Sequence, residues 1–222
     1  MGGLKISAPG LFRFLALLLA LTASLQAQAC TFGCENIDKN GNEMFMNRPE
    51  KFRDSNGNPV ARDKERNFVP ANIDSSDELA ARLCAKEWPR TYDCLHSARQ
   101  SFEKVDVVAA IRFVGVESES EQYRAPRLKY EIVKSWKSDL KPGMFITLYP
   151  PTGMSCESHT TIRVPPKNHS KEIIIAYLQR STHAPDPTFV REDICSRHIR
   201  ESEEGYAETV RWLDERVKQP SR

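Results

Sequence analysis

Apolar positions in the second half of the chain recur as β-strands require. The predicted strands are residues 105–116, 128–136, 144–149, 160–164 and 172–178. Alternation is clearest in the second strand, where Leu128, Tyr130 and Ile132 share one face. Turn signals separate these strands and no helical pattern lies between them. This arrangement favours a closed or nearly closed antiparallel barrel, with a sandwich as the alternative.

A helical period appears in three other places. Ser75 and Glu78 have the spacing of a capping box, and the apolar residues that follow predict a helix over residues 77–88. A second short helix is predicted over residues 97–104, and a C-terminal helix over residues 201–218. The apolar stripe of that last helix consists of Tyr206, Val210, Leu213 and Val217. We expect it to pack on the barrel.

The first 29 residues have the parts of a secretory signal peptide. Lys5 and Arg13 precede a short apolar run, and Ala27 and Ala29 occupy the two positions that a signal peptidase recognises. Cleavage before Cys30 is therefore predicted. It would leave a mature chain that starts with a cysteine.

Two alternatives to a cleaved signal peptide exist. The first is a membrane anchor, but the apolar run is about half of the roughly 20 residues that span a bilayer. The second is a lipoprotein acylated at Cys30, but Ala27 stands where that signal normally has Leu. We therefore predict a secreted or periplasmic protein without a membrane-spanning segment after cleavage.

The composition is that of an ordinary globular protein, 40% hydrophobic and 28% charged, which excludes a disordered or fibrous chain. Removal of the signal peptide lowers Lys plus Arg from 32 to 30, equal to the 30 Asp plus Glu. A chain with net charge near zero has little electrostatic attraction to nucleic acid. We expect an extracellular or envelope protein as partner and no nucleic acid.

All six cysteines follow the predicted cleavage site. An even number in an exported chain indicates up to three disulfides. The alternative is zinc, because Cys195 and His198 have a ligand-like spacing and His159 and His183 lie upstream. No Cys-x-x-Cys pair supports that alternative. We therefore expect disulfides, and neither a metal nor another cofactor.

Two similar polar segments occur near the start of the mature chain, at residues 38–42 and 54–58. Each has the pattern Asp-x-Asn-Gly-Asn, which favours tight turns because Asn-Gly accepts a positive φ. Calcium is the alternative, since it prefers oxygen ligands at alternate positions. Both segments lack the complete spacing of a calcium loop, so the turn interpretation is preferred.

No complete catalytic motif is present. The five histidines are His96, His159, His169, His183 and His198. None belongs to His-Glu-x-x-His, and neither Gly-x-Ser-x-Gly nor a glycine-rich phosphate loop occurs. We expect no catalytic residue, although an exported enzyme with a spatially assembled site is the competing hypothesis.

Several short motifs follow one another in the second half of the chain. They are residues 105–116, 130–132, 136–137, 140–143 and 146–150, followed by Cys156 and Cys195. In this order they resemble the netrin-like module, most closely the amino-terminal domain of tissue inhibitors of metalloproteinases and its bacterial secreted relatives.

The resemblance covers residues 94–198. It implies a mainly β fold with flanking helices, namely a five-stranded OB-like barrel stapled by disulfides. Residues 30–93 are then a polar N-terminal extension with a short helix, and residues 199–222 form the C-terminal helix.

The resemblance also implies a disulfide pattern. In that family, a Cys-x-Cys at the mature amino terminus sends one bridge to a cysteine after the third-strand region. The other bridge goes to a cysteine beyond the last strand. Cys156 and Cys195 match these two acceptors, and Cys94 stands where the second family cysteine is expected. The resemblance therefore implies a Cys94–Cys195 bridge, with Cys156 bound to Cys30, Cys34 or Cys84.

Among these three candidates we favour Cys84. The predicted helix turns Cys84 toward the core, and its proximity to Cys94 keeps it near the start of the barrel and limits the cost of loop closure. Cys30 and Cys34 then form a small local ring, and residues 30–83 form a tethered arm. A Cys30–Cys156 bridge is the alternative and would dock the amino terminus on the barrel.

Inhibitors of this family present the α-amine and carbonyl of their terminal cysteine to the zinc of a protease. Cys30 and Thr31 give the mature chain the same Cys-Thr start, and they would be the inhibitory residues if the terminus is docked. We expect a secreted, non-enzymatic binding module, with protein–protein interaction as its candidate role. Metalloprotease inhibition through Cys30 is the alternative.

Overall fold

A six-stranded sheet in the second half of the chain is the centre of the fold. The structure, a computed structural model, describes residues 34–46, 48–87, 95–119, 126–149, 171–180, 188–193 and 195–219. In chain order, the elements are helix α1 (Pro49–Phe52), strands β1 (Val60–Arg62) and β2 (Phe68–Pro70), helices α2 (Ser75–Glu87) and α3 (Ala98–Lys104), strands β3 (Val107–Glu119), β4 (Pro126–Lys137), β5 (Phe145–Tyr149), β6 (Ile173–Arg180), β7 (Phe189–Glu192) and β8 (Ile199–Arg200), and helix α4 (Tyr206–Lys218).

The large sheet has the strand order β3-β4-β5-β7-β6-β8, and β3 also pairs with β6. β5 and β7 run parallel, whereas the other neighbours run antiparallel. Each strand from β3 to β7 therefore has at least two neighbours. The expectation of a mainly β chain with flanking helices is confirmed. The predicted strand at residues 160–164 lies outside the described residues.

The first part of strand β3, residues 107–111, is buried on both of its faces. Val107, Ala109 and Ile111 belong to the apolar cluster formed by strands β3 to β7. Val108 and Ala110 point to a second cluster, which includes residues of α4. This is why the sequence is continuously apolar here instead of alternating.

Helix α4 begins later than predicted, at Tyr206 rather than at residue 201. Gly205 precedes it with φ of +90°, in the left-handed region that favours glycine. A Cβ atom at this position would lie 3.2 Å from Cδ1 of Leu83 on α2. Close packing against α2 and the left-handed turn therefore set the start of the helix.

The contacts of α4 are concentrated in its middle. Leu213 is fully buried, and Asp214 accepts hydrogen bonds from Trp136 Nε1 and Lys134 Nζ, each at 2.6 Å. The prediction that Val217 belongs to the buried stripe is wrong, because its side chain is 50% exposed in the last turn. Within the part of the chain that the structure describes, no helix is both long and apolar enough to cross a bilayer.

Helix α2 begins two residues earlier than predicted because Asp74, not Ser75, caps it. Asp74 Oδ1 accepts hydrogen bonds from the backbone N–H of Ser76 at 2.9 Å and of Asp77 at 3.3 Å. The Asp74 N–H in turn donates to Asp77 Oδ2 at 3.1 Å. This is the reciprocal pattern of a capping box shifted by one residue, with aspartate in both roles.

Three loops of one design occur in the N-terminal extension. Asp38 and Asp54 each accept hydrogen bonds from the backbone N–H groups two and four residues later, at 2.8–2.9 Å. The interpretation of these two segments as turns is confirmed. A third loop follows Asp63, which accepts from the Asn67 N–H at 2.8 Å. It lacks Asn-Gly and places Arg66 at φ of +69°, so the sequence pattern did not indicate it.

Candidate functional site at the anchored amino-terminal segment

A disulfide joins Cys34 to Cys195, with a Cα–Cα distance of 5.4 Å. Cys34 is the first described residue, and Cys195 lies between β7 and β8. The expected Cys94–Cys195 and Cys30–Cys34 bridges are therefore wrong. So is the view of residues 30–83 as an arm held only through Cys84.

The disulfide partners were predicted partly from their proximity along the chain, and this criterion fails here. The bridge closes a separation of 161 residues. Because the entropic cost of closing a loop grows only with the logarithm of its length, contacts between folded elements outweigh proximity along the chain. Helix α3 provides several of the contacts that hold the chain next to Cys34.

Cys84 is disulfide-bonded as well. Its side chain is 3% exposed, which confirms that the helix turns it toward the core. Its partner lies outside the described residues, as do Cys30, Cys94 and Cys156. The Cys84–Cys156 bridge stays a prediction.

Helix α3 holds the backbone of the segment that follows Cys34. The Ile37 N–H donates to Gln100 Oε1 at 3.2 Å, and the Ile37 carbonyl accepts from Arg99 Nη2. Gln100 Nε2 also donates to Asn36 Oδ1 at 3.3 Å. Both helix side chains are almost completely buried. Three hydrogen bonds thus fix the segment within three residues of the disulfide, and residues 34–38 are called the anchored segment below.

A buried ion pair between Asp77 and Arg99 orients the side chain that binds the Ile37 carbonyl. Arg99 Nε lies 2.9 Å from Asp77 Oδ2, and the Asp77 side chain is fully buried. Ser97 Oγ donates to Asp77 Oδ1 at 2.7 Å, so the carboxylate is held by more than its counter-ion. Buried charges are costly unless their hydrogen bonds are satisfied. This pair orients Arg99 toward the anchored segment.

His96 lies beside the disulfide, and the sequence did not single it out. It is 5% exposed, and its backbone N–H donates to the Cys195 carbonyl at 2.8 Å. One ring nitrogen of His96 and the sulfurs of Cys34 and Cys195 all lie within 4.8 Å of one another. The three residues come from three separate parts of the chain, so no local spacing could reveal the cluster.

The His96 ring is neutral at pH 7. Burial, followed by the nearby Lys104 ammonium, lowers its pKa to about 4, whereas Asp193 and the Glu35 backbone act weakly in the other direction. Nε2 lies 3.4 Å from Lys104 Nζ. Nδ1 is buried and makes no well-formed hydrogen bond with any described residue.

His198, the histidine of the zinc alternative, has a different environment. Its Nδ1 accepts a hydrogen bond from the Tyr177 N–H of β6 at 3.2 Å. Burial lowers its pKa to about 4. His198 is therefore committed to the sheet and is not in the group with Cys195. His159, His169 and His183 lie outside the described residues.

Ser196 directly follows Cys195, but it is poorly placed to act as a nucleophile. Its side chain is fully buried, and its hydroxyl donates to Asp193 Oδ2 at 2.6 Å. A nucleophilic serine needs an adjacent base and access to substrate. The arrangement instead stabilises the turn that carries Cys195.

Exposed apolar side chains lie on the large sheet, apart from the anchored segment. Val114, Val116 and Phe145 are about half exposed, at 50%, 51% and 48%. Lys129 Nζ lies 4.8 Å from the centre of the Phe145 ring. Of the three tryptophans, Trp136 is buried and Trp212 is half-buried, whereas Trp88 lies outside the described residues.

Comparison of the chain with protein-family models and with curated protein sequences finds no match.

Proposed function

We propose that this chain is a secreted or periplasmic binding module without catalytic activity, which recognises an extracellular or envelope protein through its anchored segment. The Cys34–Cys195 bridge is the observation that carries this proposal. It fixes the anchored segment to the body of the protein next to exposed Glu35. A fixed segment loses little conformational entropy on binding, which favours affinity.

We also propose that strands β3 to β7 form an OB-like barrel of the netrin-like type. The strand order supports this assignment: counted from β3, the pairings run first-second-third-fifth-fourth, and the fourth pairs again with the first. The parallel pairing of β5 with β7 joins the third and fifth strands. A five-stranded, partly open Greek-key barrel is the architecture of OB-folds.

Metalloprotease inhibition through Cys30 is the second candidate. Cys34 pairs with a cysteine beyond the last strand of the barrel, as the second terminal cysteine does in the inhibitors that the chain resembles. Cys30 precedes Cys34 by four positions, a reach of at most roughly 14 Å. Cleavage before Cys30 would therefore leave the terminal amine within this reach of Cys34.

A photo-crosslinking experiment tests the binding function. A photoreactive residue is placed at exposed Glu35, at Val114 on the sheet, or at exposed Lys64 in the third loop as control. We expect one defined adduct with a purified secreted or envelope protein from position 35 and none from position 64. Adducts from position 114 alone would show that the binding surface is on the sheet and not at the anchored segment. Equal labelling at all three positions would refute the proposal.

The inhibitor hypothesis has its own test. The secreted protein, with its N-terminus confirmed by mass measurement, is titrated against a panel of zinc endopeptidases. Inhibition should be lost when one alanine is inserted before Cys30, because the amine is displaced, and retained when an alanine is added at the C-terminus. An active inhibitor that tolerates the N-terminal insertion would contradict inhibition through Cys30.

A further inference from the structure

We propose that Cys34, Cys195 and His96 form a metal site for zinc when the Cys34–Cys195 disulfide is reduced. The bridge and the metal would then be alternative clamps for the anchored segment. This inference does not depend on the proposed function, because it concerns only the chemistry of the clamp.

The geometry of the cluster is close to that of a zinc site. The two sulfurs and one His96 ring nitrogen lie within 4.8 Å of one another. In tetrahedral zinc sites, with Zn–S near 2.3 Å and Zn–N near 2.0 Å, ligand atoms lie about 3.3–3.8 Å apart. Separation of the sulfurs after reduction, with a small movement of the ring, reaches this spacing.

The three ligands stay together without the S–S bond. Cys34 is held through Ile37 and Asn36, which are bound to Arg99 and Gln100. Cys195 is held through its carbonyl, which accepts from the His96 N–H. Because both contacts survive reduction, the thiols do not diffuse apart, and the entropic cost of assembling the site is low.

Two thiolates and a neutral imidazole suit zinc and other soft or borderline cations. The Nδ1 atom of His96 is the ring nitrogen without a well-formed hydrogen bond among the described residues, and it is buried. Lys104, next to Nε2, is exposed and is free to turn into solvent when that nitrogen carries the proton. Cys34 and Cys195 are partly exposed, which leaves access for the ion and for water as a fourth ligand.

The steps balance with a dithiol as the reductant. The Cys34–Cys195 S–S bond breaks and accepts two electrons and two protons, while the dithiol is oxidised to its own disulfide. Zinc then binds the two sulfurs and releases their two protons to solvent, so binding weakens at low pH. Thiol–disulfide exchange with a small disulfide, which takes up the two electrons and two protons and becomes two thiols, restores the bridge and releases the ion.

Zinc binding by the full chain is measured by competition with a chelating dye, after reduction with a phosphine, which competes for zinc less than a dithiol does. Wild type is compared with Cys34→Ser/Cys195→Ser, with His96→Gln and with the control His198→Gln. We expect reduced wild type to bind one zinc ion more than the double variant. The zinc affinity of His96→Gln should fall by more than the roughly 10–100-fold that is typical when a residue that only orients a metal ligand is removed. His198→Gln should bind like wild type.

The same samples with cobalt reveal the ligands. Thiolate-to-cobalt charge-transfer bands should appear in reduced wild type and weaken by the contribution of one site in the double variant. Equal zinc affinity of the His96→Gln and His198→Gln variants would overturn the proposal. Equal zinc stoichiometry in wild type and the double variant would overturn it as well. If reduction unfolds the chain and zinc binds thiols without regard to His96, the two histidine variants have equal zinc affinity, and this case also overturns the proposal.

Discussion

Arg66 occupies a backbone conformation that glycine occupies in two related loops. Its φ is +69°, whereas Gly41 and Gly57 have φ of +82° and +83° in the loops that follow Asp38 and Asp54. A side chain with a Cβ pays a steric cost in this left-handed region, and glycine does not. Equivalent positions of three loops in one protein thus carry glycine twice, which is favourable there, and arginine once, which is not.

We expect Arg66→Gly to stabilise the protein by about 0.5–1 kcal/mol, because relief of the left-handed strain exceeds the added freedom of the unfolded chain. The matched change Gly57→Ala should destabilise it by about 1 kcal/mol, since a Cβ there meets no other atoms and only the backbone cost remains. Urea unfolding measures both. A loss of stability in Arg66→Gly would contradict this account.

His198 should make the protein less stable in mild acid. Its folded-state pKa is lowered by burial to about 4, below its unfolded value near 6.5. As the pH falls below 6.5, the unfolded chain binds a proton that the folded chain does not, so stability is lost until the pH reaches the folded pKa. From pH 7 to pH 5 the loss is up to about 2 kcal/mol for this residue.

The variant His198→Gln removes the titrating group while its amide oxygen can still accept the Tyr177 N–H. The difference in unfolding free energy between pH 7 and pH 5 should therefore shrink by up to about 2 kcal/mol relative to wild type. The measurement is urea unfolding at both pH values. An unchanged difference would show that His198 is protonated in the folded state as easily as in the unfolded chain.

Elements with local signals were predicted best. Helix α3 matches its prediction because Ser97 caps it, with its hydroxyl accepting the Gln100 N–H. Helix α2 begins earlier because the sequence contains two overlapping capping patterns. The cap is Asp74, whose Oδ2 also accepts a hydrogen bond from Trp212 Nε1 of α4 at 3.2 Å. Strands β7 and β8 were missed because they have four and two residues, too few to show a period, and they exist through pairing with β5 and β6.

The candidate site was predicted only in part. The cysteines were recognised as disulfide partners, but the bridge from Cys34 to Cys195 depends on contacts of Ile37 with α3, for which the sequence has no signal. His96 belongs to the site through a backbone hydrogen bond to Cys195. Such tertiary contacts leave no periodic pattern in a single sequence.

Helix α4 should contribute to stability through its middle and not through its end. Leu213→Ala is expected to cost about 3 kcal/mol, because it opens a cavity in a fully buried position among Trp136 and Tyr177. Val217→Ala, on the exposed last turn, should change stability by less than about 0.5 kcal/mol. Urea unfolding of both variants measures this contrast, and similar losses would mean that the end of the helix is packed after all.

The Asp77–Arg99 pair connects α2, α3 and the anchored segment across the molecule. Arg99→Met should destabilise the protein by about 3–5 kcal/mol, because the buried Asp77 carboxylate loses its counter-ion. The double variant Asp77→Leu/Arg99→Met should lose less unfolding free energy than the sum of the losses in the two single variants, since neither charge then remains unpaired. Urea unfolding of the three variants gives the coupling energy, and strictly additive losses would argue against an interacting pair.

The Cys34–Cys195 bridge also sets an order of events during biosynthesis. A ribosome adds about 5–20 residues per second, so a separation of 161 residues means that Cys34 emerges roughly 8–32 seconds before its partner exists. Cys84, Cys94 and Cys156 all appear within that interval. The bridge therefore closes only after nearly the whole folded body has been made. Until then Cys34 is a thiol with four wrong partners in the same chain, since Cys30 has emerged before it.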